Sequence, residues 1–510
     1  MKYLMLLCCL WTIQQATAAT YYVDAINGND AATGLSDKQA WKSLSRVNAQ
    51  VFRAGDQLLF RAGRIYEGQL KVQGSGATGM PILIDKYGEG YKPRLQGNGV
   101  MPATVHINNV EYWEIRNLDI SNNGPERQSS RNGILVQARD VGTMHHIWLS
   151  GLDIHDVNGS LLKAGGAGAG IMVQCGGRNV KSRFDGLVIE KCTIRNTHRN
   201  GITFAGYWSR QDWFPSLRVI IRDNLLEGVP GDGIVPIGCD SALITRNVIR
   251  DCPRLLPDGE AAAGIWPWSC DNTIIEYNEV SDHKAPWDGQ GFDSDWNCRN
   301  TLIQYNYSHD NEGGFLLVCD DGSQKMPTSA GNTGTVVRYN ISINDGSRKT
   351  GKHAGFSPVI HLPGPARNTQ IYNNMIIVPQ REKGIDSSII AFDNWNGYPD
   401  STLFANNIFY ALTPVDYQAA KSTRIYYENN LYFGKHDNAI KDPRAVNADP
   451  MFQSLVLGGN PGFEVLKGLK LRPVSAAARK GRPLVKEPAK DFFGNKVMPV
   501  KPPDIGVHQF

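Results

Sequence analysis

One pattern recurs through this chain: an aliphatic residue, two others, then Asn, every two to four dozen residues. The segments are IIRDN (Asn224), LITRN (Asn247), IIEYN (Asn278), LIQYN (Asn306), VVRYN (Asn340), QIYNN (Asn374) and LFANN (Asn407). Weaker copies carry Leu118, Leu152 and Cys192 at the Asn position. A period of this size specifies a solenoid of stacked turns, in which each coil buries its apolar face only against its neighbours. With 53 Gly, 27 Pro and short Val/Ile/Asn runs bounded by Gly and Asp, the coils read as strands and turns. The pattern therefore predicts an all-β parallel β-helix. Residues that align between repeats should lie roughly 4.8 Å apart, one rung above another. Stacked Asn amides, turned inward, would hydrogen-bond along the column and satisfy buried turn groups.

The first 18 residues read as an export signal. Lys2 gives the positive end, Leu4 to Ile13 the apolar run, and Ala16-Thr17-Ala18 a small-residue cleavage site. The expectation is a secreted or periplasmic protein with no membrane span, and a monomer. Beyond the signal lie Cys175, Cys192, Cys239, Cys252, Cys270, Cys298 and Cys319, an odd number that opposes a complete disulfide framework. Cys239, Cys270 and Cys298 each precede a ladder Asn by eight residues, so they should form an inward column of small apolar side chains. One disulfide between neighbouring rungs is the alternative. A formal charge of +4 is too mild to imply a nucleic-acid partner.

The stretch after the signal begins YYVDAINGND, continues through WKSLSRVNA (Trp41 to Ala49, expected as a short capping helix) and reaches AGDQLLFRAG. It resembles the N-terminal cap of secreted right-handed parallel β-helix proteins of the pectin-lyase-like superfamily. Such a cap covers an apolar cross-section and unpaired strand edges. From about residue 436 the chain turns rich in Pro, Lys and Asp and ends DFFGN…PDIGVHQF, which resembles the C-terminal segment of many exported β-helix proteins. Residues 19–435 are thus expected as the helix with its N-terminal cap, and 436–510 as a tail wrapping back over it.

Each coil has a leading strand opened by Gly and an apolar residue: GILVQ (133), GIMVQ (170), GITFA (201), GIVPI (233), GIWPW (264), GFDSD (291) and GFLLV (314). Superposing the glycines makes Trp266 and Trp268, Asp293 and Asp295, then Leu316 and Val318, the outward pairs of successive rungs. Asp293 and Asp295 are two apart on one strand, so both carboxylates should emerge on one face. Strands disfavour Asp, and two beside two Trp suit a sugar ring: indole stacks on its C–H face while carboxylates bond its hydroxyls. Asp320-Asp321 ends the next strand, and at least one of these carboxylates is expected to turn toward Asp295. The strand VIHL brings His361 near the Asp293 column. The preceding loops contribute Asp258, Glu260, His283, Lys284, Trp287 and Asp288 as cleft walls. Clustered carboxylates raise one another's pKa, a property useful for a proton donor, a nucleophile or a bound cation.

Caps, coils and tail together look like the pectin-lyase-like superfamily, which holds both glycoside hydrolases and polysaccharide lyases. Asp295 followed by Asp320-Asp321 is similar to the acid pattern of its polygalacturonases, whose Gly-His-Gly and Arg-Ile-Lys motifs do not follow here. The block FDSDWN…YNYSHDNEGGFLLVCDDG looks like exo-acting glycosidase relatives. The expected function is an exported glycoside hydrolase acting on a polysaccharide or oligosaccharide without a cofactor. Asp293, Asp295, Asp320, Asp321 and His361 are its candidate catalytic residues. Trp266, Trp268, Trp287, Asp288 and Lys284 are its candidate sugar-binding residues. Carboxyl separation, about 5–5.5 Å or 6.5–9.5 Å, would decide between retention and inversion. The first alternative is a lyase in which Asp293, Asp295, Asp320 and Asp321 hold Ca²⁺, and Lys284, Lys325 or Arg348 takes the proton beside a uronate carboxylate. The second is a non-catalytic carbohydrate-binding solenoid.

Overall fold

The computed structural model describes residues 18–510, apart from 324–325, 419–420, 439, 486 and 499–501. Short strands stack coil upon coil, and the ladders between successive coils are parallel, among them Leu243–Thr245 on Ile274–Glu276, Leu302–Gln304, Val336–Arg338 and Gln370–Tyr372. This sheet continues from Thr20–Val23 to Thr423–Glu428. The other faces pass through the leading strands and the strands that follow the ladder Asn. One continuous apolar core runs inside, from Val23 and Trp41 to Tyr427.

The Asn ladder lies at one corner of every coil. The residue before each ladder Asn takes the left-handed conformation, as at Asp223 (φ 56°), Arg246 (54°), Tyr277 (56°), Tyr305 (56°) and Tyr339 (51°). Non-glycine residues rarely adopt this backbone. The stacked amides offset its strain. Asn247, Asn278, Asn306 and Asn340 each donate Nδ2–H to the amide oxygen of the next Asn at 2.9–3.0 Å. The same oxygen also accepts the backbone N–H of the lower Asn. The column extends past Asn407 to Asn430, and the carboxylate of Asp442 closes it. The column thus runs one coil beyond the sequence repeat, because YYENN lacks the aliphatic residue three before Asn430.

At the N-terminal end, Leu44–Asn48 forms a one-turn helix whose cap, Ser43, accepts the Arg46 N–H. Trp41 is fully buried and stacks on Tyr21 at 4.9 Å. All seven described cysteines are free. Cys239, Cys270 and Cys298 are buried on successive rungs, with the Cys239 N–H bonded to Cys270 Sγ at 3.3 Å, and no disulfide joins them. Beyond residue 436 the chain runs along the flank of the solenoid. Phe452, Leu466, Leu469, Ile505 and Val507 bury against the outward column Tyr307, Ile341, Met375 and Ile408. No described helix is long and apolar enough to cross a membrane.

Candidate active site

The site is built on the leading strands Gln290–Ser294, Gly314–Val318, Ile360–Pro363 and Ser388–Asp393. Register fixes what faces outward. Asp293 pairs with Leu317, and Leu317 with His361. Below them Ile265 bridges Phe292, which puts Trp266 under Asp293. One column is therefore Trp266, Asp293, Leu317 and His361. Two residues along, the neighbouring column carries Asp295, Cys319, Pro363 and Asp393.

This register corrects the superposition of glycines made from sequence. Gly314 pairs with Gln290, not Gly291, and holds φ +125°, a backbone that side-chain-bearing residues avoid. A one-residue offset moves every side chain of a strand to the other face. Leu316 and Val318 are consequently core residues with no exposure, and Leu317 and Cys319 face outward. The same offset removes Asp320 from the constellation. Its carboxylate turns inward and accepts the N–H groups of Gly322 and Asn332, both at 2.9 Å. Asp321 caps the turn through the Ser323 N–H at 2.9 Å. Neither lines the cavity described next.

A cavity of about 710 Å³ opens over the two columns. Asp288, Asp293, Asp295, Trp266, Trp287 and His361 all line it. Trp268 does not: it stacks on Trp208 (5.7 Å, 9° between planes) and meets Trp296 edge-on, and Trp296 is the indole that reaches the cavity. Lys284 lies in a separate groove with Asp282, Asp310 and Glu312. His283 is a buried structural residue whose Nε2 meets the Gly231 carbonyl at 2.9 Å, and burial pushes its pKa down to about 4. Arg348 is buried and donates to the carbonyls of Ala285 (3.3 Å) and Asp288, which fixes the loop below the cavity. Lys325 lies outside the described residues.

Other lining groups were not singled out from sequence. Asp232 stands directly before a leading-strand Gly, where the rungs above and below carry Ala263 and Asn200. Its Oδ1 accepts the Trp266 indole N–H at 3.0 Å, locking that ring. Lys163 reaches in from a long loop. Its ammonium sits 5.1 Å from the Trp266 ring centre and 3.8 Å from Asp232 Oδ2. Asp393, at the top, bonds His361 Nε2 at 2.6 Å, and this bond holds its carboxyl below the usual range. An acid before Gly233 was a readable signal for Asp232; nothing local marks Lys163.

The carboxylates differ in environment. Asp293 is buried, its Oδ1 has no hydrogen-bond partner among the described residues, and burial followed by the charges of Asp288, Asp295 and Asp232 raises its pKa well above the ordinary value. Asp288 is half-buried and raised by burial, against the pull of Lys163, His361 and Arg348. Burial lifts Asp295 to about 6, while hydrogen bonds from the Cys319 thiol and the Trp296 N–H hold it down. Among the described residues no group of three or more His, Cys, Asp or Glu side chains is placed to hold a metal ion.

Residues 169–353 match a family described as right handed beta helix region. The chain is a right-handed parallel β-helix. A lacto-N-biosidase of Bifidobacterium longum subsp. longum is 27% identical over 553 residues, which cover 89% of this chain and 33% of that protein. The chain thus spans about a third of the length of that curated relative. The crystal structure of a GH136 lacto-N-biosidase from Eubacterium ramulus superposes with a TM-score of 0.57 and 26% identity, covering 74% of this chain and 67% of the other. A complex of XylC with xylose has a TM-score of 0.52 at 12% identity, over 96% and 98% of the two chains, a likeness of fold alone.

Proposed function

We propose that this protein is a glycoside hydrolase that takes a neutral sugar unit into the cavity over Asp293 and Asp295. The observation that carries the reading is the placement of Asp288, Asp293 and Asp295 in one cavity walled by Trp266, Trp287 and Trp296. The likeness to two lacto-N-biosidases supports it. Among the described residues both hydrogen bonds to the Asp295 carboxylate end on Oδ1, from Cys319 Sγ at 2.8 Å and Trp296 N at 2.7 Å. Oδ2 is left for the reacting centre. With a pKa near 6, Asp295 is ionised at neutral pH and serves as the carboxylate that meets the anomeric side of the bond. Asp288, raised and half-buried at the cavity wall, gives its proton to the leaving oxygen as the C–O bond breaks. Water then supplies hydroxyl to the sugar and returns the proton, so that both carboxyls are restored. Asp293 keeps its proton and donates it as a hydrogen bond to a sugar hydroxyl. Indole faces offer the apolar side of the ring a partner.

The charge of the cavity selects against uronates. Asp288 and Asp293 carry protons, but Asp232, Asp295 and Asp393 face it as carboxylates, against the ammonium of Lys163 among the described residues. A substrate carboxylate would enter among like charges. The test is a panel of neutral and uronate-containing oligosaccharides, scored for new reducing ends and for ultraviolet absorbance, with and without chelator. Chelator-insensitive reducing ends from a neutral member, lost in Asp288→Asn and Asp295→Asn, support the reading. Ultraviolet-absorbing products that need metal would replace it with the lyase. Sugar binding without turnover in the unaltered protein would leave a binding solenoid.

A further inference from the structure

We infer that Cys319 is a positioning residue, whose thiol fixes Asp295 so that a single carboxylate oxygen, Oδ2, is presented to the substrate. The inference rests on the proposed glycosidase reading of Asp295. Three observations carry it. The offset at Gly314 is what turns Cys319 outward, because in the glycine-aligned register this position would point into the core. Cys319 Sγ then lies 2.8 Å from Asp295 Oδ1, on the rung directly above, while lining the cavity. Oδ1 also takes the Trp296 N–H, and Oδ2 has no partner among the described residues.

A thiol acts here only as a donor. Burial and the adjoining Asp295 charge keep its pKa well above the ordinary value, so it stays protonated. The other titratable groups facing Asp295 are Asp293 on its own strand, Asp288 ahead of it, Lys163 from the wall loop and Cys298 behind it. Asp288 raises its pKa and Lys163 lowers it. Cys319 and Trp296 are the hydrogen-bond donors on the carboxylate itself. A thiol is a weaker donor than a hydroxyl, so it orients the carboxylate without much reducing its basicity.

The experiment compares Cys319→Ala and Cys319→Ser with the unaltered full chain. The Asp295 carboxyl is titrated by carbon NMR of aspartate-labelled protein, its resonance assigned by loss in Asp295→Asn. Removing the donor should raise the Asp295 pKa by about half a unit or more. The Ser variant, with a stronger donor, should lower it. The acid limb of kcat/KM on the oligosaccharide hydrolysed in the panel should move the same way in each variant. Packing alone does not produce shifts of opposite sign. If Cys319→Ala does not fold, the downward shift in Cys319→Ser still decides. Unmoved titrations, or shifts of one sign, overturn the inference. An active Asp295→Asn would instead overturn the reading on which it rests.

Discussion

The Asn corner and the acidic face of the leading strands are both columns of polar side chains, stacked by the same rung spacing, yet they do opposite things. An amide is donor and acceptor at once, so each Asn satisfies the next and the column closes on Asp442. A carboxylate is acceptor-only. Stacked beside indoles with few donors, acids stay partly unmatched, as Asp293 Oδ1 does. The first column stabilises the solenoid. The second holds carboxyls at raised pKa, in the range acid–base chemistry requires.

The contrast can be broken most severely at Gly314. A Cβ there would lie 2.3 Å from the Pro358 carbonyl oxygen at φ +125°. Gly314→Ala should cost about 2–4 kcal/mol in denaturant unfolding and abolish hydrolysis as the strand shifts. Next comes the ladder. Asn306→Ala removes the acceptor of the Asn278 N–H, one of the two amide bonds of Asn278 (the other goes to the Ile244 carbonyl) and the amide bond to the Ile275 carbonyl, and should lower stability by about 2–3 kcal/mol while kcat holds in the folded fraction. The acid column predicts the reverse sign. Asp293 has a raised pKa, so the folded chain keeps a proton the unfolded chain loses, and the penalty grows as pH rises above about 4. Asp293→Asn should therefore be more stable than the unaltered protein at pH 7, by about 1–2 kcal/mol, and equal to it below about pH 4.

The smallest effect concerns the tail. His309 is buried, which pulls its pKa down, but bonds to Asp310 and Glu279 carry it up to about 9, and Glu279 also holds the Gly462 N–H at 2.9 Å. A raised histidine stabilises fully below its unfolded value near 6.5. That contribution should fade as pH climbs toward about 9, seen as faster amide exchange around residues 459–463.

The coil repeat, the Asn column, the inward cysteines and the pairing of Asp293 with Asp295 were legible because stacking converts sequence period into neighbourhood. Trp287, Asp288 and His361 were legible for the same reason. Asp320 and Asp321 fall outside the cavity because alignment on the leading glycines assumes a single register. Gly314 begins its strand a residue out of phase, and alternation then exchanges inside for outside. Trp268 faces the expected side but finds Trp208, supplied by a loop remote in sequence. Lys163 was invisible for the same cause: it reaches the site from a loop whose length follows no repeat.

The register itself is tested most directly by one pair of variants, Asp295→Asn and Asp320→Asn, assayed on the same neutral oligosaccharide. With Asp295 over the cavity and Asp320 turned into a buried corner, the first should lose about a thousandfold in kcat/KM or more and the second should stay within a few-fold. Equal losses, or a greater loss at Asp320, would contradict the account.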